Sequence, residues 1–353
     1  MLWLVACFAL MAEVESQAEV AASSTAVIVV VGEPGEAKYG EMFTEWAARW
    51  KEASTKAKSR HVEIGLAERT EGAKTDREIL FETLASLTEE PPETIWLVLI
   101  GHGTFDGKKA KFNLRGTDIT SAELAEQLQP ISARTAIVNC ASASGPFVSA
   151  IAGPNRVVVT ATQSGYEYNF ARFGDYLSRT IGDASGDLDK DGHTSLLEAW
   201  LAAAKQTQQY YESESQLATE HSLLDDNGDG KGTPFDWFRG IHITKTAKDG
   251  TLPDGTFANQ FILVPGEDAT ILSDVLREKR DELERQLAEL RQQRQDYSEE
   301  DYLKRLEEIL IPLAKLYESA DESATQPTES EPASKEETAG EGDSETKGDQ
   351  EES

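Results

Sequence analysis

The chain is short of cysteine, of basic residues and of long apolar runs, and each shortage excludes a class of protein. Two cysteines, Cys7 and Cys140, form neither a disulfide framework nor a zinc cluster. Lys and Arg number 34 against 64 Asp and Glu, a net charge of −30, which argues against nucleic acid or anionic lipid as a partner. No interior stretch reaches the roughly 18 apolar residues of a membrane span. The 353 residues, 39% of them hydrophobic, suffice for one large domain or two moderate ones.

Composition divides the chain into four parts. Residues 1–24 are a signal-like apolar segment with a spacer, and residues 319–353 are an acidic tail without aromatic residues that we expect to be disordered. Between them we expect an α/β domain over residues 25–265 and an amphipathic helical hairpin over residues 266–318. The first segment favours export to the periplasm or the extracellular space, and a lipoprotein-like box ending at Cys7 offers membrane anchorage as the alternative.

Short β-branched runs alternate with helical spacings from Thr25 onward. Continuously apolar strands are typical of a parallel sheet that is buried on both faces, so the pattern predicts a three-layer α/β fold with a mainly parallel central sheet. The leucine-rich segment 274–318, with a break near Asp296, predicts two amphipathic helices that pack or self-associate. The predicted strands are 26–31, 61–66, 96–100, 136–139, 156–161 and 259–265, and the predicted helices of the domain are 42–56, 76–87, 121–128, 170–181 and 196–211.

Two predicted strands end in residues that can carry chemistry. The third strand runs into His102 and Gly103, and the fourth runs into Cys140. In an open α/β sheet, ligands bind at the carboxyl ends of the strands, so both side chains are expected at one site. Imidazole activates a thiol by taking its proton, and the N–H groups of Gly103 and Cys140 are candidate donors to an oxyanion. Ser142 does not fit a nucleophile elbow, because Cys140 and Ser144 occupy its two glycine positions.

The motifs around these residues resemble those of the caspase-like cysteine peptidases, and the legumain-like branch most of all. The resembling segments are Gly101–Gly107 and Asn139–Gly145, and the resemblance extends over residues 25 to 240. It implies a caspase-haemoglobinase fold, in a bacterial-type member with EF-hand-like loops, and a dyad of Cys140 as nucleophile and His102 as proton carrier. Val138 departs from the polar residue usual at its position.

The resemblance implies an endopeptidase that acts on a polypeptide substrate. Two alternatives remain open, a catalytically silent calcium-binding scaffold and a ligase in which an amine resolves the acyl-enzyme. The segment 162–167 is expected to border the specificity pocket. Glu167 and the acidic surface weakly favour a basic or amide side chain in the substrate, although a solvated surface charge is the better account of Glu167.

Residues 187–198 match a twelve-residue calcium loop, with Gly192 where the loop must turn sharply. Predicted helices flank the loop on both sides, which is the context that this motif requires. Thr194 stands where an apolar β-branched residue is usual. The expected ligands are the side chains of Asp187, Asp189, Asp191 and Glu198, the carbonyl of His193, and Ser195 through a water molecule.

Residues 225–236 repeat the same spacing in a weaker form. Asp236 is shorter than the usual final glutamate, and Pro234 disfavours a regular exit helix. This second loop is therefore expected to bind calcium as a structural clip, with no cofactor needed for the chemical step. Its expected ligands are Asp225, Asn227, Asp229, the carbonyl of Lys231, and Asp236.

Overall fold

A computed structural model describes residues 24–245, 247, 251, 253–266 and 274–325. The signal-like segment with Cys7, and the tail from residue 326 onward, lie outside the described residues.

Twelve strands and eight α-helices are formed in the described ranges. The strands are β1 (Thr25–Val31), β2 (Arg60–Ile64), β3 (Thr94–Ile100), β4 (Gly103–Phe105), β5 (Ala110–Phe112), β6 (Ile119–Thr120), β7 (Arg134–Asn139), β8 (Arg156–Thr160), β9 (Leu223–Asp225), β10 (Thr233–Pro234), β11 (Phe238–Arg239) and β12 (His242–Ile243). The helices are α1 (Ala37–Lys56), α2 (Asp76–Glu89), α3 (Ser121–Leu128), α4 (Pro146–Ile151), α5 (Phe173–Thr180), α6 (Leu196–Ser213), α7 (Asp274–Gln292) and α8 (Glu299–Thr325).

Seven of these strands form the central sheet, in the order β10-β9-β8-β7-β3-β1-β2. The five strands from β8 to β2 run parallel, while β9 and β10 extend the sheet in antiparallel fashion. After β1 the chain adds β2 on one side and then returns to add β3 on the other. The carboxyl ends of β1 and β3 therefore flank a topological switch point, where open α/β sheets bind ligands.

Helices cover both faces of the sheet, as the continuously apolar strands predict. On one face, α1, α5 and α6 bury Trp46, Trp50 and Trp200 against alternate residues of β1, β3 and β7. On the other face, α2, α3 and α4 bury leucines such as Leu80 and Leu124 against the remaining strand residues. The predicted three-layer α/β class with a mainly parallel sheet is confirmed.

Some elements differ from the predicted ones. The predicted strand over 259–265 is a short 3₁₀ turn, Ala258–Gln260, followed by a single bridge between Ile262 and Ser195. Its apolar residues alternate because Phe261 and Leu263 are buried on the α1 face, not because they pair in the sheet. Helix α5 begins three residues later than predicted, at Phe173, since the carboxylate of Glu220 accepts the backbone N–H groups of Arg172 and Phe173.

The leucine-rich C-terminal segment forms α7 and α8, which pack against each other. Leu283, Leu287 and Leu290 of α7 are buried, whereas Leu303 of α8 is exposed. Helix α8 continues to Thr325 and so crosses the predicted start of the tail at residue 319. No helix in the described ranges is long and apolar enough to cross a membrane.

Candidate active site

A cleft of about 460 Å³ opens at the switch point of the central sheet. Loops that follow β1, β3 and β7 form its walls, together with the loop between β5 and β6. Because parallel strands present their carboxyl ends at one edge, residues distant in sequence meet there. The cleft is lined by Glu33, Gly35, His102, Gly103, Thr104, Asn113, Leu114, Gly116, Asp118, Ser142 and Tyr168.

The imidazole of His102 is half-buried in this cleft. Its Nε2 lies 3.2 Å from the carbonyl oxygen of Pro34, and its ring meets Tyr39 edge-on at a centroid distance of 4.9 Å. Phe43 and Phe170 contact the same ring at 5.3 and 6.1 Å. When Nε2 donates to the carbonyl, Nδ1 is the nitrogen that keeps the lone pair. Burial lowers the pKa of His102 below its ordinary value, which favours the neutral form that can accept a proton.

Gly103 permits a close approach between the loops that follow β3 and β7. A Cβ atom at this position would lie 2.1 Å from the backbone oxygen of Ser142, so any larger residue would force the two loops apart. The Gly103 N–H instead donates to Ser142 Oγ at 3.3 Å. The predicted oxyanion donor Gly103 therefore lies in the cleft beside His102.

Cys140 does not line the cleft. It is 1% exposed and continues the alternation of β7, in which Ala136, Val138 and Cys140 all face the α1 and α5 layer. A Cβ built on Gly174 of α5 would lie 2.7 Å from the Cβ of Cys140, so the thiol faces that helix.

The environment of Cys140 opposes formation of a thiolate. Burial, reinforced by the nearby carboxylate of Glu220, raises the pKa of the thiol above its ordinary value. Reactive cysteines have electropositive, partly exposed surroundings, which is the opposite of this arrangement. Strand alternation directs the thiol towards the core, and among the described residues no hydrogen bond joins it to His102, so the dyad stays a prediction from the sequence. The Cys140 N–H donates to the carbonyl of Leu99 at 2.9 Å and is not directed at the cleft.

Ser142 lines the cleft, whereas Cys140, two residues earlier, does not. The sheet pairs Leu99 with Asn139, and the Cys140 N–H still donates to the Leu99 carbonyl, so Cys140 continues the strand. Beyond Cys140 the chain turns, and Ser142 Oγ accepts the N–H of Gly103, the residue that follows His102. Sequence reasoning missed Ser142, because only the folded loop after β7 shows which side chain lies beside Gly103.

The segment that follows β8 holds the Ser142 loop in place. Glu167, which was expected to border a specificity pocket, accepts from Gln163 N–H at 2.8 Å, and its other carboxylate oxygen lies 2.5 Å from His221 Nδ1. Its backbone carbonyl accepts the N–H of Ala143 at 2.8 Å. Glu167 therefore supports the loop, while the carboxylates that line the cleft belong to Glu33 and Asp118.

The first predicted calcium loop brings three carboxylates together. Oxygen atoms of Asp187, Asp189 and Asp191 lie within 4.8 Å of one another. Glu198, which is 1% exposed, accepts the N–H groups of Leu188 and Ser195. Burial raises the pKa of Glu198, and burial together with the neighbouring carboxylates raises that of Asp191. A cation would relieve this repulsion, so the donor set suits calcium.

Two further expected ligands of the first loop are held from outside it. His193 Nδ1 accepts the N–H of Gly266 at 3.1 Å, and its carbonyl is the predicted ligand atom. Ser195 Oγ donates to Asn259 Oδ1 at 2.9 Å, and it also caps α6 by accepting the N–H of Glu198 at 3.3 Å. Helix α7 adds an acid that the sequence pattern did not indicate, since burial, with nearby carboxylates that include Asp189 and Asp191, raises the pKa of Glu284 to about 7.

The second predicted loop is arranged differently. Asp225 accepts the N–H groups of Gly228 and Gly230, while Asp229 Oδ1 accepts the Lys231 N–H at 2.8 Å. Asn227 Oδ1 accepts the Asp229 N–H at 2.8 Å. Asp236 turns outward and pairs with Lys245 at 2.7 Å, because the exit segment is a 3₁₀ turn instead of a helix.

A buried carboxylate distant in sequence, Asp254, adjoins the second loop. It accepts the N–H groups of Asp226 and Asn227. Burial and the charge of Asp254 raise the pKa of Asp225 to about 6. The sequence motif could not indicate Asp254, since that residue lies outside the repeated spacing.

Comparisons with known proteins find similar structures at low identity. No family model and no curated protein matches the chain. The chain is similar to the Drosophila initiator caspase Dronc, with 12% identity, a TM-score of 0.40, and coverage of 60% of this chain and 83% of that one. It is also similar to caspase-1 from Spodoptera frugiperda, with 8% identity, a TM-score of 0.36, and coverage of 58% and 87%. A protein from Geobacter sulfurreducens matches with 12% identity, a TM-score of 0.34, and coverage of 60% and 98%. Likeness at this level supports neither an activity nor a substrate.

Proposed function

We propose that this protein hydrolyses peptide bonds through an acyl-enzyme formed in the cleft at the ends of β1, β3 and β7. The observation that carries the proposal is that the half-buried imidazole of His102, whose pKa is lowered by burial, lines the same cleft as the Gly103 N–H at the switch point of the sheet. One group can carry protons and the other can stabilise an oxyanion, and acyl transfer requires both. The sequence resemblance to caspase-like peptidases supports the same reaction.

The residues that line the cleft support a preference for polypeptides with a basic or amide side chain at the bound position. Glu33 and Asp118 contribute carboxylates, and no Lys or Arg of the described residues lines the cleft. A basic or amide side chain of the polypeptide would complement such a wall. The exposed ring of Tyr168 at the rim offers an apolar surface for the flanking chain.

Replacing His102 tests the proposed function directly. His102→Ala should lower kcat/KM on a mixed peptide library at least about 100-fold, since positioned proton transfer contributes that much or more. His242→Ala is the matched control, because His242 is exposed on β12, outside the cleft lining. Equal turnover in both variants would contradict the proposal, provided that their melting temperatures match that of the wild type.

A second candidate function is a catalytically silent, calcium-binding interaction protein. The burial of Cys140 favours it, because a cysteine peptidase requires an accessible thiolate. Under this function His102→Ala and the wild type would both fail to hydrolyse any peptide of the library, while calcium would still raise the melting temperature. Peptide turnover by the wild type therefore separates the two candidates, since the calcium response is expected under both.

A further inference from the structure

We propose that Ser142, and not Cys140, is the nucleophile of this cleft, an inference that rests on the peptidase function proposed above. Ser142 Oγ accepts the N–H of Gly103, the residue that follows His102, whereas the Cys140 N–H pairs with Leu99 inside the sheet. Ser142 is 2% exposed, but it lines the cleft together with His102, and Cys140 does not. The structure therefore places a hydroxyl in the same cleft as the imidazole, where the sequence motif suggested a thiol.

Ser142 is held where an oxyanion donor is already in place. Its Oγ accepts the Gly103 N–H at 3.3 Å and is 3.4 Å from the Gly103 carbonyl oxygen, to which it donates. A substrate carbonyl carbon bonded to Ser142 Oγ would set its own oxygen close to that N–H. An acyl-transfer site requires this arrangement, in which the donor faces the atom that becomes negatively charged.

The backbone around Ser142 is a sharp, strained turn from a strand into a helix. Ala143 adopts a φ of +54°, a left-handed conformation that is strained for a residue with a Cβ atom. The turn is pinned from outside, because Thr162 Oγ1 accepts the Gly145 N–H at 3.1 Å. A Cβ on Gly145 would lie 2.3 Å from the backbone of Gln163, so the turn is fixed by close packing on both sides. The turn shares its strand–turn–helix form with a nucleophile elbow, but Cys140 and Ser144 stand at the glycine positions of that motif, so the assignment of Ser142 rests on its place in the cleft and not on the motif.

In the proposed reaction, Ser142 and His102 carry every proton that is transferred between the substrate, the leaving amine and water. Ser142 Oγ bonds to the carbonyl carbon while its proton passes to His102, and the carbonyl electron pair moves onto the oxygen near the Gly103 N–H. Collapse re-forms the carbonyl and breaks the C–N bond, and the departing amine takes the proton from His102. Water then attacks the ester, gives a proton to His102, and the acid is released as that proton returns to Ser142 Oγ.

Covalent labelling of the full-length protein tests this assignment. A fluorophosphonate probe should modify the wild type on the peptide that contains Ser142, and intact mass should show one adduct. Ser142→Ala and His102→Ala should remove that adduct. Ser149→Ala is the matched serine control, since Ser149 is exposed on α4, and it should label as the wild type does.

Kinetics separates failure of this assignment from failure of the proposed function. Ser142→Ala should lower kcat/KM at least about 1,000-fold, as loss of a nucleophile does, while Cys140→Ala should stay within about threefold of the wild type. If Cys140→Ala abolishes turnover and Ser142→Ala does not, Ser142 is excluded but the peptidase function stands. If the wild type neither hydrolyses peptides nor reacts with the probe, both the peptidase function and the assignment of Ser142 as nucleophile are excluded. Ser142→Cys should gain His102-dependent alkylation by iodoacetamide, and a lack of that reaction would also exclude position 142.

Discussion

Removal of calcium should lower the stability of this protein by an amount that the first loop allows one to estimate. Three carboxylates lie within 4.8 Å of one another in residues 187–191. At that separation each pair of charges repels by about 1 kcal/mol even in water, so three pairs disfavour the metal-free loop by about 3 kcal/mol. Mass action gives a similar figure, about 2.7 kcal/mol when free calcium is 100 times Kd. For a chain of this size, that corresponds to a decrease in Tm of about 5 °C on chelation.

Glu198 requires a control, because it also caps α6. Its carboxylate accepts the N–H of Ser195, and losing such a contact costs about 1 kcal/mol with or without metal. Glu198→Gln should therefore lower Tm slightly in chelator and remove most of the additional increase that calcium produces. Ser195→Ala should lower Tm in chelator to a similar extent but keep much of the calcium response, and Glu212→Gln, at an exposed position of α6, should change neither.

Differential scanning calorimetry in 1 mM calcium and in excess chelator provides the assay. Magnesium at the same concentration should stabilise the protein much less, because flexible loops of six or more oxygens suit the larger ion. Identical melting curves in calcium and chelator would refute the calcium site. A calcium response that Glu198→Gln leaves intact would assign the binding to another part of the chain.

Three further predictions concern the thiol, the imidazole and the C-terminal helices. Cys140 should resist iodoacetamide in the folded protein and react only in denaturant, because its thiol is buried. Peptide mass analysis measures this, and alkylation at the rate of a free thiol under native conditions would show that Cys140 is accessible. Burial lowers the pKa of His102, so kcat/KM should reach its maximum by pH 7 and decrease at acidic pH, with a midpoint below the ordinary histidine pKa of 6.5. A midpoint at or above 6.5 in the pH profile would contradict the environment described for this ring. Truncation after Gly266 removes Arg280 and the buried face of α7, so it should lower Tm or change the oligomeric state in analytical ultracentrifugation. Truncation after Thr325 should alter neither. Equal Tm and mass for both truncations would show that α7 contributes no packing.

Much of the fold follows from local patterns in the chain. The β-branched run at Thr25–Val31 predicts a doubly buried strand, and the spacing of Phe43, Trp46 and Trp50 predicts one face of a helix, as the structure shows. Local pattern misleads where an alternating apolar segment packs without pairing, as at 259–265. Local pattern does not predict short antiparallel strands that form only against distant partners, such as the small sheet of β4, β5 and β6.

Some residues of the candidate site could likewise be predicted from local sequence, and others could not. Sequence alone identifies His102 and Gly103, because a strand that ends in His-Gly at the carboxyl edge of a parallel sheet faces the ligand cleft wherever its neighbours lie. It also sets out the acids of residues 187–198, because all ligands of such a loop lie within one short segment. Alternation along β7 even indicates that Cys140 shares the buried face of Val138.

Only the tertiary structure decides which residue of the loop after β7 lies in the cleft with His102. Alternation fixes the face on which a side chain lies, but the height at which two parallel strands pair depends on the helices and loops that connect them. A shift of two residues would preserve every buried position and move the residue beside Gly103 along the strand by about 7 Å. In this protein that register pairs Leu99 with Asn139, so the thiol is buried in the core and the hydroxyl of Ser142 is brought to the cleft.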